Sequence, residues 1–94
     1  MAWPYPDAIE VISKLAKQSA AIVGGDVFRN GERGLELTYD NWYVDQNKGS
    51  PWTEYVAKAA EIAMTYIETY HSRNKGEFWY SLVFIYDSEH AAKA

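Results

Sequence analysis

His71 and His90 are the only imidazoles in the 94-residue chain, and histidine is the usual acid–base residue near neutral pH. One closes a predicted helix and the other sits in a short tail. No His-x₃-His or carboxylate–His cluster gives a metal site. A histidine at a helix C-terminus is accounted for by the helix dipole. Cysteine is absent, which removes thiolate zinc sites, a thiol nucleophile and a disulfide framework. The serines lack a nucleophile-elbow context. Four carboxylates, Asp26, Glu36, Asp40 and Asp45, lie on or beside a predicted strand pair. Paired carboxylates can bind Mg²⁺. A restriction-type nuclease would place a Lys in an E-x-K step, and here the step is Glu36-Leu37-Thr38. These residues read as solvated strand-face carboxylates. No enzyme, metal or cofactor is expected.

Gly24-Gly25-Asp26-Val27-Phe28 is similar to the GG(D/E)EF signature of diguanylate cyclases. That chemistry needs an acid where Val27 stands and a much longer domain, so the similarity is set aside. Aromatic content is more informative. Four Trp, eight Tyr and three Phe make 16% of the chain, and thirteen acids against nine bases give a net charge of −4. Base stacking on aromatic rings needs a basic groove. The aromatic stretch 39–43 (Tyr39-Asp40-Asn41-Trp42-Tyr43) is flanked instead by Glu36 and Asp45. Nucleic acid and anionic membrane are poor partners for such a chain, whereas a basic protein cleft suits it.

These side chains need elements to hold them. A chain of this length supports one core, burying about 65% of its unfolded surface. Residues 1–6, with Pro4 and Pro6, read as an extended arm. Asp7 and Glu10 form a D-x-x-E capping signal, and Ile9, Ile12, Leu15 and Ala16 repeat at helical spacing, which predicts a helix over 7–19. Residues 20–28 are apolar and β-branched and predict a strand. Gly24-Gly25 within it marks a bulge or a close backbone approach. Asn30-Gly31 and Gly34 bracket a turn over 29–34, and a second strand follows over 35–44. Its first half alternates Leu35, Leu37 and Tyr39 against Glu36, Thr38 and Asp40.

A polar loop, 45–49, leads to Ser50-Pro51, read as N-cap and first helical position. Trp52, Val56, Ala59, Ala60, Ala63, Tyr66, Ile67 and Tyr70 then define a helix to about 71–73, roughly 33 Å long. Residues 78–86 (FWYSLVFIY) are apolar on both faces and read as a buried strand, or as one whose edge awaits a partner. They are too short to span a membrane, which takes about 20 residues. Residues 87–94 read as a mobile tail. The expected fold is one α+β domain, 1–94, in the order α-β-β-α-β. It has a three-stranded mixed sheet, with both helices packed mainly on one face. The first strand sits centrally, the last lies antiparallel beside it, and the other sheet face is aromatic and partly open.

Three stretches in order carry a family resemblance: Ile22-Val23-Gly24-Gly25-Asp26-Val27, Tyr39-Asp40-Asn41-Trp42-Tyr43-Val44, and Tyr55-Val56 through Ala63 to Tyr66-Ile67-Glu68-Thr69-Tyr70. Together they resemble the immunity protein 40 family of bacterial polymorphic-toxin and contact-dependent growth-inhibition systems. The family often carries Ser where Ala59 or Ala60 falls, a departure on a helix face. The resemblance implies a cytoplasmic, non-enzymatic protein that binds the C-terminal domain of a cognate toxin, often a nuclease, and blocks it.

Aromatic and charged anchors in a dry centre give tight inhibitors their affinity. On that ground the candidate toxin contacts are Asp26, Glu36, Asp40, Trp42, Tyr43, Asp45 and Trp79. Neighbouring strand residues face opposite ways, so one of Trp42 and Tyr43 is expected in the core. Two other readings stand beside this one. One is an adaptor that homodimerises through strand 78–86. The other is a small-molecule module with an aromatic pocket under the second helix.

Overall fold

A computed structural model describes residues 1–46 and 49–87. The helix α1, Tyr5–Lys17, begins two residues before the expected Asp7 cap. Pro4 is its N-cap and Pro6 falls in the first turn, where a missing N–H costs no helical hydrogen bond. Asp7 sits in that turn, and Lys14 and Lys17 in the last, each on the side the helix dipole favours. Ala8 and Ile12 are buried. The helix closes in a Schellman turn. Ser19 N–H donates to the Ala16 carbonyl and Ala20 N–H to that of Leu15, both at 3.0 Å, with Ser19 at φ 64°.

The second helix, α2, covers Trp52–Arg73. Pro51, not Ser50, is its N-cap. Tyr55, Val56, Ala59, Ala60, Ala63 and Ile67 form its buried stripe. The three alanines keep that stripe low, so α2 lies against α1 and the sheet. The Trp52 indole N–H donates to the Ser19 carbonyl at 2.8 Å, and Tyr5 stacks on His71 at 4.0 Å. The start of α2 thus meets the end of α1, and the start of α1 meets the end of α2. The two helices are antiparallel and share one side of the sheet.

The sheet corrects the expectation of three mixed strands. Among the described residues it has five strands: β1 Ala2–Pro4, β2 Ala21–Gly31, β3 Gly34–Tyr43, β4 Phe78–Ser81 and β5 Val83–Ile85. Every neighbouring pair is antiparallel. The order along the chain is β-α-β-β-α-β-β, not α-β-β-α-β. Three physical reasons account for the difference. First, the proline-rich arm makes a strand, with Trp3 opposite Tyr80. Pro4 ends that strand at the sheet edge, where proline is tolerated. Second, 78–86 is split at Leu82, so β4 pairs with the C-terminal part of β2 and β5 with its N-terminal part. Third, β2 stands between β3 and β4, so the two parallel strands of the crossover never meet.

The split in the last strand faces Gly24-Gly25. A Cβ on Gly25 would collide with the Ser81 carbonyl and the Trp42 ring, and one on Gly24 would lie 2.5 Å from the Trp42 carbonyl. Here the glycines serve close approach and not a left-handed backbone. The Asp26 N–H turns to the Ser81 hydroxyl at 3.1 Å. The core comprises Ala8, Ile12, Ile22, Val27, Trp42, Ala59, Ala63, Ile67 and Tyr80 with their neighbours. The other side of the sheet carries Leu37, Phe28, Trp79 and Pro4 in a row set by strand register. Among the described residues no helix covers it. The tail expected at 87–94 lies outside the described residues apart from Asp87.

Gly25→Ala is expected to lower unfolding stability by about 1–3 kcal/mol, the usual cost of forcing atoms into a packed site. Urea denaturation measures it. An unchanged midpoint would show that the Trp42 ring and Ser81 give way freely.

Candidate functional site

Beneath α2 the rings of Trp42, Tyr66, Tyr70 and Tyr80 form a continuous ladder. Trp42 stacks on Tyr66 at 4.8 Å, and Tyr66 on Tyr70 at 6.1 Å. Tyr70 meets Tyr80 edge-on at 6.1 Å and Phe78 at 5.1 Å. These rings occupy the space in which a small-molecule pocket was expected. Trp42 is 8% exposed and Tyr80 fully buried. Neither the Trp42 indole N–H nor the Tyr80 hydroxyl has a partner among the described residues. Burial, and then the phenols of Tyr70, Tyr66 and Tyr5, push the Tyr80 pKa up to about 12. Burial also raises Tyr66, with Asp40 and Tyr70 adding to it. Tyr70 rises through burial first and its hydrogen bond to Asp40 second.

That hydrogen bond joins the hairpin to the helix: the Tyr70 hydroxyl donates to Asp40 Oδ2 at 2.8 Å. Asp40 sits at the end of an irregular step in β3. Between the pairs Asp26–Asn41 and Phe28–Leu37, β2 has one residue and β3 has three, 38–40. The bulge throws Tyr39 outward, 80% exposed, at φ 72°. Beyond it Tyr43 is 73% exposed. Tyr43 and Asp45 border a cleft of about 390 Å³ with Glu54, Tyr55, Lys58 and Ile62 of α2. Burial raises the Tyr55 pKa, with Tyr43 and Asp45 reinforcing the shift. A second cleft, of about 700 Å³, lies between Asp40, Thr38 and Arg29 on the hairpin and Lys75 and Glu77 after α2.

The sequence-predicted contacts are therefore distributed. Asp40, Tyr43 and Asp45 follow the outer part of β3 and gather beside α2. Glu36 sits towards the hairpin tip, bonded to Arg29 at 3.3 Å. Trp79 is half-buried on the helix-free side, opposite Phe28. Asp26 is partly exposed next to it across Ser81. Trp42 is the member of the Trp42–Tyr43 pair that enters the core. Tyr39, exposed on the same strand, is not among the sequence-predicted contacts. The hydrophobic alternation of the strand gives no sign of the step that exposes it. Among the described residues no three His, Asp or Glu side chains gather as a metal centre would require. His71 is seated on Tyr5, and His90 lies outside the described residues.

These features define a small α+β domain that presents an acidic, aromatic strand margin beside a helix. The family model for immunity protein 40 matches residues 1–84, and the chain belongs to that family. Among curated proteins and solved structures, none matches it. Membership points to a protein that binds and neutralises a cognate toxin, in a family that is generally non-enzymatic. Among the described residues no helix is long and apolar enough to cross a membrane.

The raised Tyr80 pKa makes stability depend on pH. A phenol that holds its proton more tightly when folded stabilises the fold fully below its unfolded pKa of 10.0, and loses that contribution as pH rises towards 12. Wild-type protein should lose melting temperature steeply between those values. Tyr80→Phe should melt no lower than wild type at neutral pH, because the removed hydroxyl has no partner, and should lose less above pH 10. Circular dichroism melts across the range test both statements.

Proposed function

We propose that this protein neutralises its toxin by stoichiometric, non-covalent occlusion, with the outer part of β3 and the adjoining side of α2 as the contact. The observation that carries the reading is the charge of residues 34–46 on a preformed strand edge. That stretch holds Glu36, Asp40 and Asp45 and no Lys or Arg. A basic catalytic cleft, as in a nuclease acting on cytosolic nucleic acid, is the complementary surface. Acidic groups around it speed association, and exposed tyrosines supply contact area at low entropic cost. The toxin is then the C-terminal domain of a polymorphic or contact-dependent growth-inhibition protein. Neutralisation takes place in the cytoplasm of the producing cell, a setting that suits a chain without cysteine. Asp40, Tyr43 and Asp45 are the sequence-predicted contacts placed to act there. Trp42 supports them from beneath.

A second reading rests on β5. Val83 is 50% exposed, Phe84 41%, Ile85 40% and Tyr86 51%. β5 pairs with β2 alone among the described strands. An apolar edge of this kind can join a second copy of the chain.

Co-expression with the toxin domain encoded upstream should restore growth, and loss of protection against every neighbouring toxin would end the primary reading. Asp45→Lys should slow association with the toxin by roughly 3–10-fold at low salt and flatten its salt dependence. For the second reading, light scattering after size-exclusion chromatography should find a dimer at micromolar concentration that Phe84→Lys dissociates. A wild-type monomer removes that reading and leaves the first intact.

A further inference from the structure

Among the described residues two non-glycine residues have a left-handed backbone: Ser19 and Tyr39. Ser19 needs no special account, because a helix C-terminus routinely places a residue there. Tyr39 is different. It lies inside a strand, and a side chain in that conformation is disfavoured against glycine or asparagine. The fold gains nothing visible from the ring. Tyr39 is 80% exposed. Among the described residues its ring meets no other ring, and its hydroxyl makes no hydrogen bond.

The backbone around it is nonetheless held from both sides. The Thr38 hydroxyl donates to the Val27 carbonyl at 2.9 Å and accepts the Asp40 N–H at 3.2 Å. The Asn41 side-chain amide donates to the Tyr39 carbonyl at 3.2 Å. The Asp40 carboxylate is fixed to Tyr70 on α2 at 2.8 Å. Four hydrogen bonds thus hold a strained, solvent-directed tyrosine that the protein's own packing does not use. Strain maintained by surrounding structure marks a functional position, and bulges re-aim side chains at such positions.

We infer that Tyr39 is the principal anchor of the toxin complex, inserting its ring into a slot on the toxin beside a cationic rim. This rests on the immunity reading and names the residue on which that interface turns. Tyrosine is among the side chains that dominate interface energetics, and an anchor already fixed in its bound backbone loses little entropy on docking. The slot needs apolar walls for the ring and a polar group for the phenol. Asp40 and Asp45, on either side of Tyr43, face the rim. Like charges there would repel, which commits the partner to a basic surface and excludes an acidic one.

The test uses the full chain and its toxin domain, with calorimetric titration and thermal melting run in parallel. Tyr39→Gly is the informative variant, because glycine is the residue this backbone prefers. It should melt at or above the wild-type temperature while binding weakens by about 30-fold or more, the range of an interface hot spot. Tyr39→Phe keeps the ring and should lose less than about 10-fold, the share of one hydrogen bond. If wild-type protein binds and Tyr39→Gly stays within about 3-fold of it, below the range of a hot spot, the anchor is overturned and the immunity reading survives. If wild-type protein neither binds the toxin nor protects against it, both fall. If Tyr39→Gly melts well below wild type, the bulge serves folding and the inference is overturned.

Discussion

The close approach at Gly25 governs the architecture. β2 pairs with three other strands, β3, β4 and β5, and at its middle three things need the same space. The Trp42 ring leans in from β3, the Ser81 carbonyl leans in from the end of β4, and the chain must still pass between them. Only a residue without a side chain meets all three demands. From that point the rest follows in order. Trp42 enters the core and stacks under Tyr66. The ladder continues through Tyr70 to Tyr80, which lies opposite Val27 on the same central strand. Tyr70 then reaches out of the ladder to Asp40. A packing constraint in the middle of the sheet is thereby connected to the margin at which a partner is proposed to dock.

Much of the fold can be read from the chain because its strongest signals are periodic. Both helices carry buried stripes at 3- and 4-residue spacing, and residues 20–28 are apolar enough to mark the central strand. The irregular parts escape for reasons specific to them. Trp3-Pro4-Tyr5-Pro6 contains two prolines and argues against a strand, yet Pro4 closes β1 at an edge where no N–H is demanded. The run 78–86 looks continuous. Its break at Leu82 depends on what β2 does opposite it, which no local pattern encodes. Leu35 and Leu37 alternate as a buried face would. Register places Leu37 instead beside Phe28 and Trp79 on the side without helices. Alternation reveals a stripe, but the side the helices take is a tertiary matter.

The site divides in the same way. Composition and charge single out the 39–43 region as a place where acid and aromatic meet, and neighbouring residues on a strand had to separate Trp42 from Tyr43. The bulge was not visible, since nothing in a single sequence states that β3 spends three residues where β2 spends one. An insertion of two leaves the alternation of the strand intact on either side. Glu36 and Trp42 still face the helices, and the irregularity makes no mark on the hydrophobic pattern. Only the backbone of Tyr39 records it.

That arrangement also separates two quantities that interfaces often confound. The carboxylates on this margin lie near solvent, where their field extends into water but each contact is screened. In the proposed complex they would act on the approach of a partner more than on its departure. A tyrosine held by hydrogen bonds on both flanks acts in the opposite sense. It adds nothing at a distance, and in the proposed complex its contribution would appear only once the ring is desolvated, and so in dissociation. The tie between Asp40 and Tyr70 places one residue in both roles: the carboxylate contributes to the long-range field while its bond to α2 fixes the bulge beside it. On such a margin the field and the proposed anchor can change separately. The Gly25 crossing and the ring ladder beneath would not need to change.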